Sequence, residues 1–286
     1  MTKFDNLWLW KDQTPEAMLT GMIAPKPKLR WFQFSLRTLL VFVTLCAIPC
    51  SWLAVKKQQA RRQREAVAAI EKLGGVVVWS AGLLWDGPVL SVFLNGIQIT
   101  DAGLENIKGL NQLQDLFLND TQITDAGLED NKGLNQLQRL LLNRTKVTDA
   151  GLENIKGLEQ LQVLELSGTR VTDAGLENIK GLEQLQVLEL SGTKVTNAGL
   201  ENIKGLEQLQ RLELGLTQIT DAGLENIIGL NQLLALRLNN TQITDAGLEH
   251  LKGLTQLLEL RLDNTQVTDA GVKKLQQALP KCKIYH

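Results

Sequence analysis

Cysteine and histidine are almost missing from this chain: 286 residues hold three Cys and two His. Cys46 and Cys50 lie in one apolar run and Cys282 lies near the C-terminus, so neither a disulfide framework nor a Cys/His zinc spacing can be assembled. His250 and His286 have no Ser or Cys placed for them to activate, which removes the usual nucleophilic centres. Aromatic residues amount to 5%, so aliphatic side chains must fill the core. No glycine-rich phosphate loop occurs, and the recurring glycines read as turn residues. No inserted loop interrupts the regular part of the chain, so no such segment is available to hold a site. The expectation is therefore no enzyme, no metal, no cofactor and no small-molecule substrate.

Charge is nearly balanced overall, at -1, but not along the chain. Residues 1–72 carry 12 Lys/Arg against 5 Asp/Glu, and the remainder carries 18 against 26. A basic head suits an anionic membrane surface. The acidic body lacks the basic face that nucleic acid requires, so no nucleic acid partner is expected.

What the chain has in quantity is repetition. The tetrad Thr-Asp/Asn-Ala-Gly begins at Thr100, Thr124, Thr148, Thr172, Thr196, Thr220, Thr244 and Thr268, always 24 residues apart. The units Leu152 to Gly175 and Leu176 to Gly199 differ only at Arg170/Lys194 and Asp173/Asn197. A fixed period of this size is the mark of a solenoid. Within a unit, alternation around Leu116 and Leu118 predicts a short strand with one face inward. The segment after the tetrad predicts a short helix, with Leu104 and Ile107 on its buried side and Gly109 ending it. One unit alone cannot offset the entropy of ordering its backbone, so neighbours must stack. Strands stack more closely than helices pack, which predicts an arc with the parallel sheet on its concave side. Val76–Trp79 reads as a strand capping the open end. A closing helix and a last short strand follow at the C-terminus, where Cys282 reads as a buried small residue.

The pattern L-x-x-L-x-x-L-x-L-x-x-T-x-I-T-D-A-G-L-x-x-I, shown by Leu110, Leu113, Leu116, Leu118, Thr121, Ile123 and Leu128, resembles that of leucine-rich-repeat proteins. The T-D-A-G-L signature is similar to the repeats of F-box-type adaptors and of many bacterial relatives. The stretches Phe34 to Leu40 (FSLRTLL) and Arg61 to Gly75 (RRQREAVAAIEKLGG) resemble the membrane-anchored bacterial members. The resemblance implies an α/β solenoid, a horseshoe of about eight 24-residue repeats over 76–286, and a protein-binding role. No F-box-like segment precedes the repeats, so a ubiquitin-ligase role does not carry over. Thr121, Thr145, Thr169, Thr193, Thr217, Thr241 and Thr265 stand where the family has Asn or Cys, and their hydroxyls are expected to bond to loop backbone. Ile97 in the first unit and Asn131 in the second depart from the pattern.

Ahead of the repeats, residues 1–37 read as a disordered tail. Residues 38–55 run for 18 residues without a charge, at the short end of a membrane span. Trp31, Phe32 and Phe34 on one side and Trp52 on the other suit interfacial anchors, and Pro49 should kink the helix. A single-pass anchor is the favoured reading; a cleaved signal peptide and a buried soluble helix stay open. Residues 56–75 read as a basic juxtamembrane helix stopped at Gly74-Gly75. Basic residues on the two sides of the run are too nearly equal to fix which side of the membrane holds the repeats.

Two patterns are candidates for recognition. The acidic column Asp101, Asp125, Asp149, Asp173, Asp221, Asp245 and Asp269 reads as helix N-capping, by the Thr or the Asp of the tetrad, rather than metal binding, because Asn197 interrupts it without a charge. On the sheet face, the residue between the two strand leucines runs Phe93, Phe117, Leu141, Glu165, Glu189, Glu213, Arg237, Arg261. That order gives an apolar end, an acidic centre and a basic end. It predicts a surface for an unknown protein or peptide, with the three Glu taking a basic segment. The alternative is a structural, self-associating envelope spacer whose sheet face is only solvated, with charges paired across strands.

Overall fold

The computed structural model describes residues 36–80, 87–129 and 133–286. The tail expected over 1–37 lies outside the described residues up to residue 35, and so does Asn131. The chain divides into two compact units, Met1–Val55 and Lys56–His286.

A helix spans Leu36–Lys72 without a break at Pro49. In its first-unit part Leu45, Trp52, Leu53 and Val55 are exposed. The span expected at 38–55 is not a separate membrane-length element. Among the described residues, no helix is long and apolar enough to cross a membrane. In the second unit the same helix is polar until Ala66, Val67 and Ile70, which are buried in the core cluster that continues through the repeats. Gly74, at φ 89, ends it and turns the chain into the sheet.

The sheet has ten strands in sequence order. They are β1 (Val76–Trp79), β2 (Val89–Phe93), β3 (Asp115–Phe117), β4 (Arg139–Leu141), β5 (Val163–Glu165), β6 (Val187–Glu189), β7 (Arg211–Glu213), β8 (Ala235–Arg237), β9 (Glu259–Arg261) and β10 (Lys283–Tyr285). Only β1 is antiparallel, pairing with β2; the others are parallel, each offset by one repeat. The central leucines 116, 140, 164, 188, 212, 236 and 260 lie side by side and are fully buried. The first and third residues of the three-residue strands β3 to β10 therefore share the opposite, solvent-facing side.

Behind the sheet, the expected helices shrink to single turns such as Asp125–Leu128, Asp149–Leu152 and Asp173–Leu176. At Gly199–Ile203 the turn is 3-10. Among the described residues behind the sheet, the closing helix Asp269–Ala278 is the longest.

The threonine column behaves as expected. Thr121 donates its hydroxyl to the Leu118 carbonyl at 2.7 Å, and Thr145 and Thr169 repeat the contact. The acidic column does not cap its own turn. Asp149 instead reaches the next repeat, where Oδ1 accepts from the Thr172 backbone N–H and Oδ2 from the Thr172 hydroxyl, both at 2.7 Å. With its proton given to the carboxylate, the Thr172 oxygen is left to accept from the Ala174 N–H, so the Thr is the cap. Where the column carries Asn197, its amide donates to the Thr220 oxygen at 2.8 Å. Thr220 then makes no cap bond, and neither does Thr100, which has no repeat before it to supply an Asp. The glycine of the tetrad makes room for this clamp. A Cβ on Gly127 would stand 2.6 Å from the Asp101 carboxylate.

A second column lies just after each strand. Gly96, Asp120, Arg144, Gly168, Gly192, Leu216, Asn240 and Asn264 all have φ between 55 and 70°. Glycine, Asn and Asp tolerate this left-handed turn; Arg144 and Leu216 occupy it at a steric cost.

Candidate functional site

The last residues of β2 to β9 form one row across the solvent-facing side of the sheet. Register pairs Phe93 with Phe117, Phe117 with Leu141, Leu141 with Glu165, Glu165 with Glu189, Glu189 with Glu213, Glu213 with Arg237 and Arg237 with Arg261. All eight residues singled out in the sequence are thus placed on one line, about 4.8 Å apart. Tyr285 on β10 extends the row beyond Arg261, whose guanidinium lies 4.8 Å from the ring centroid. The C-terminal strand has no repeat signature, so only the register places Tyr285 there.

The apolar end is less open than the sequence suggests. Phe93 and Phe117 stack on each other, with centroids 4.5 Å apart and planes within 5°, and both are half-buried. Arg139 roofs Phe117 at 5.6 Å while holding Asp115 through Nε and Nη2 at 2.6 and 2.8 Å. Asp115 also accepts from Ser91, and these bonds hold its carboxyl below the usual range despite the opposing effect of burial. An exposed Arg139 held by the buried Asp115 thus braces the N-terminal end of the face.

The acidic centre is where the electrostatics are unusual. Glu165 and Glu189 are half-buried and Glu213 is buried. Val163 and Val187, two residues earlier on the same side of β5 and β6, narrow the access of water. Burial pushes the Glu189 carboxyl up to about 7, and the charges of Glu213 and Glu165 add to the shift. Burial also raises Glu165, opposed by amides of Asn119 and Asn143; the Asn143 amide donates to Glu165 at 2.7 Å. Glu213 sits 3.0 Å from Arg237. That approach is not aligned as a hydrogen bond, so Glu213 Oε1 and Arg237 Nε are buried without one. At the basic end, Glu259 holds Arg261 at 2.9 Å and lies 4.0 Å from Arg237, so opposite charges alternate there. The sequence could show a run of Glu, but not that burial raises the middle one most.

Away from this row the remaining candidates are isolated. His250 stands 4.0 Å from Glu225 and His286 lies 2.7 Å from Asp269, both at the surface. Cys282 is buried, and burial pushes its thiol up to about 11. A cavity of about 450 Å³ lies between the helix and the first repeats, lined by residues that include Lys56, Gln63, Pro88 and Leu110. Among the described residues no three His, Cys, Asp or Glu side chains are grouped to hold a metal ion.

Comparisons with known proteins agree with this architecture. A family profile described as Leucine Rich repeat matches residues 160–180 and 208–227. Among solved structures, the chain is similar to internalin C2 of Listeria monocytogenes, at 30% identity over 68% of this chain and 80% of that one, with a TM-score of 0.57. It is also similar to a leucine-rich-repeat protein of Leptospira interrogans, at 22% identity over 64% of this chain and 51% of that one, with a TM-score of 0.48. No curated protein matches the sequence.

Proposed function

The chain belongs to the leucine-rich-repeat family, and from that premise we propose that its exposed sheet face binds a protein or peptide, with a basic segment seated at the acidic centre. Leucine-rich-repeat proteins generally act as protein-interaction scaffolds. The observation that carries the finer reading is the row Glu165, Glu189 and Glu213, three carboxylates in register without three cations to match them. Like charges directly opposite across strands are destabilising. A face that keeps them is suited to a ligand that supplies the opposite charge.

The test replaces Glu165 and Glu189 with Lys and leaves Glu213 intact, because Glu213 is buried against Arg237. Binding of blocked lysine-containing peptides to the full chain should fall by at least tenfold, a loss of about 1.4 kcal/mol. Unchanged affinity in a folded double variant rejects the site.

Attachment to a membrane through residues 38–55 is proposed on the uncharged 18-residue run and its basic flanks. The wild-type chain should float with lipid vesicles in a density gradient. A Leu45→Lys, Ala47→Lys variant should stay at the bottom, because charge inside a span is costly. Equal flotation of both removes the anchor.

A further inference from the structure

We propose that β1 is the surface by which two copies of this chain associate, their Val76–Trp79 strands pairing antiparallel about a two-fold axis at Val77 so that the two sheets become one.

The sheet has two outer strands, β1 and β10, and among the described residues no further strand lies beyond either. An outer strand presents a row of backbone N–H and C=O groups with which another strand can pair, and proteins commonly guard such a row with lysine or proline. β10 is guarded in this way. Lys283 lies on it, Pro280 and Lys281 come just before it, and all three are exposed. β1 has no guard. Its four residues, Val-Val-Val-Trp, carry neither charge nor proline, and Val76, Val78 and Trp79 are 60, 44 and 36% exposed. An apolar edge left open in this way marks a docking surface.

What docks there must be an extended, uncharged segment, because a charge brought against the valines would lose its water without gaining a partner. Of the two outer strands, β10 fails that condition through Lys283, and a second β1 meets it. The faces of the strand then fix the register. Val76 and Val78 lie beside Phe93 and Ser91 on the solvent-facing side, while Val77 lies beside Val92 and packs against the core. Two sheets continue into one another only when residues of like face stand opposite, since a slip of one residue turns every side chain over. An axis at Val77 satisfies this and sets Val76 of each copy against Val78 of the other, so the exposed valines cover one another. An axis at Val78 also keeps the faces, but leaves Val76 opposite Ser80. With the axis at Val77, Trp79 falls opposite Gly75, which has no side chain to meet it. The valines of both copies then lie between the two stacks of Phe93 on Phe117, and apolar pairs directly opposite stabilise such a join. This contact uses none of Glu165, Glu189 and Glu213, so it is independent of the ligand proposed for them.

The full chain in mild detergent, held at about 100 µM, where an interface of modest area is populated, should scatter light as two chains. A Val76→Lys, Val78→Lys variant sets like charges opposite each other across the axis and should scatter as one chain. Its circular dichroism should match the wild type, because both positions are exposed. In a mixture of a Val76→Cys chain with a Val78→Cys chain, mild oxidation should join the two introduced thiols, since directly opposite residues stand close to disulfide reach. Either chain alone should link at that position far less. Mass spectrometry of the digested product identifies this link and separates it from any made through Cys46 or Cys50. A wild type that is one chain at this concentration, a pair that survives the two lysines, or a mixture that links its introduced thiols no more than either chain alone overturns the proposal.

Discussion

Leu188→Ala should cost the protein about 3 to 5 kcal/mol and split its unfolding into two steps. Leu188 is fully buried between Leu164 and Leu212, at the middle of the parallel sheet. Its removal leaves a cavity that close-packed neighbours fill only in part. The solenoid makes the location matter as much as the size. Each repeat touches only the next, so a weak link in the centre uncouples the two ends. Urea unfolding followed by circular dichroism should show two transitions, each with a smaller dependence on denaturant than the wild type. The same change at Leu260, next to the closing strand, should shorten the folded array from that end. A single transition with an unchanged slope in Leu188→Ala would mean that coupling along the stack is stronger than nearest-neighbour contacts provide.

Asp149→Ala should lower stability by about 2 to 3 kcal/mol, although Asp149 lies at a turn. Its carboxylate links that turn to the Thr172 hydroxyl and backbone N–H of the next repeat. The truncation removes two charge-assisted bonds and frees the Thr172 hydroxyl that serves as the cap. Gly175→Ala should cost about 1 to 3 kcal/mol by a different route, because the new Cβ meets the same carboxylate and the Leu152 side chain. The two changes should not add. Once the carboxylate is gone, part of the obstacle to the Cβ is gone with it, so the double variant should be more stable than the sum predicts by about 1 kcal/mol. Thermal and denaturant unfolding of the four proteins checks this. Strict additivity would show that the glycine is kept for its backbone and not for the aspartate.

Much of this molecule was legible in the one-dimensional text because the repeat is nearly perfect. Leucines spaced by two mark a strand wherever they occur, and the constant 24-residue interval forces equal positions to lie side by side. That reasoning placed the leucine core, the capping strand Val76–Trp79, the closing helix and strand, and the row from Phe93 to Arg261. The threonine hydroxyls also followed, because their partner is three residues away in the same turn.

Only the folded stack decided the rest, and the reason is the same in each case: the interaction joins residues about 24 positions apart. The pattern left Thr or Asp as the cap of each turn; the Thr is the cap, and the donors to the Asp belong to the following repeat. Phe93 and Phe117 looked exposed until their rings stacked under Arg139. The glutamates looked equivalent, and unequal burial and pairing made Glu189 the one held near neutrality. Local pattern sets which way a side chain points. The depth of water around it, and the charge beside it, exist only after neighbouring repeats have closed on one another.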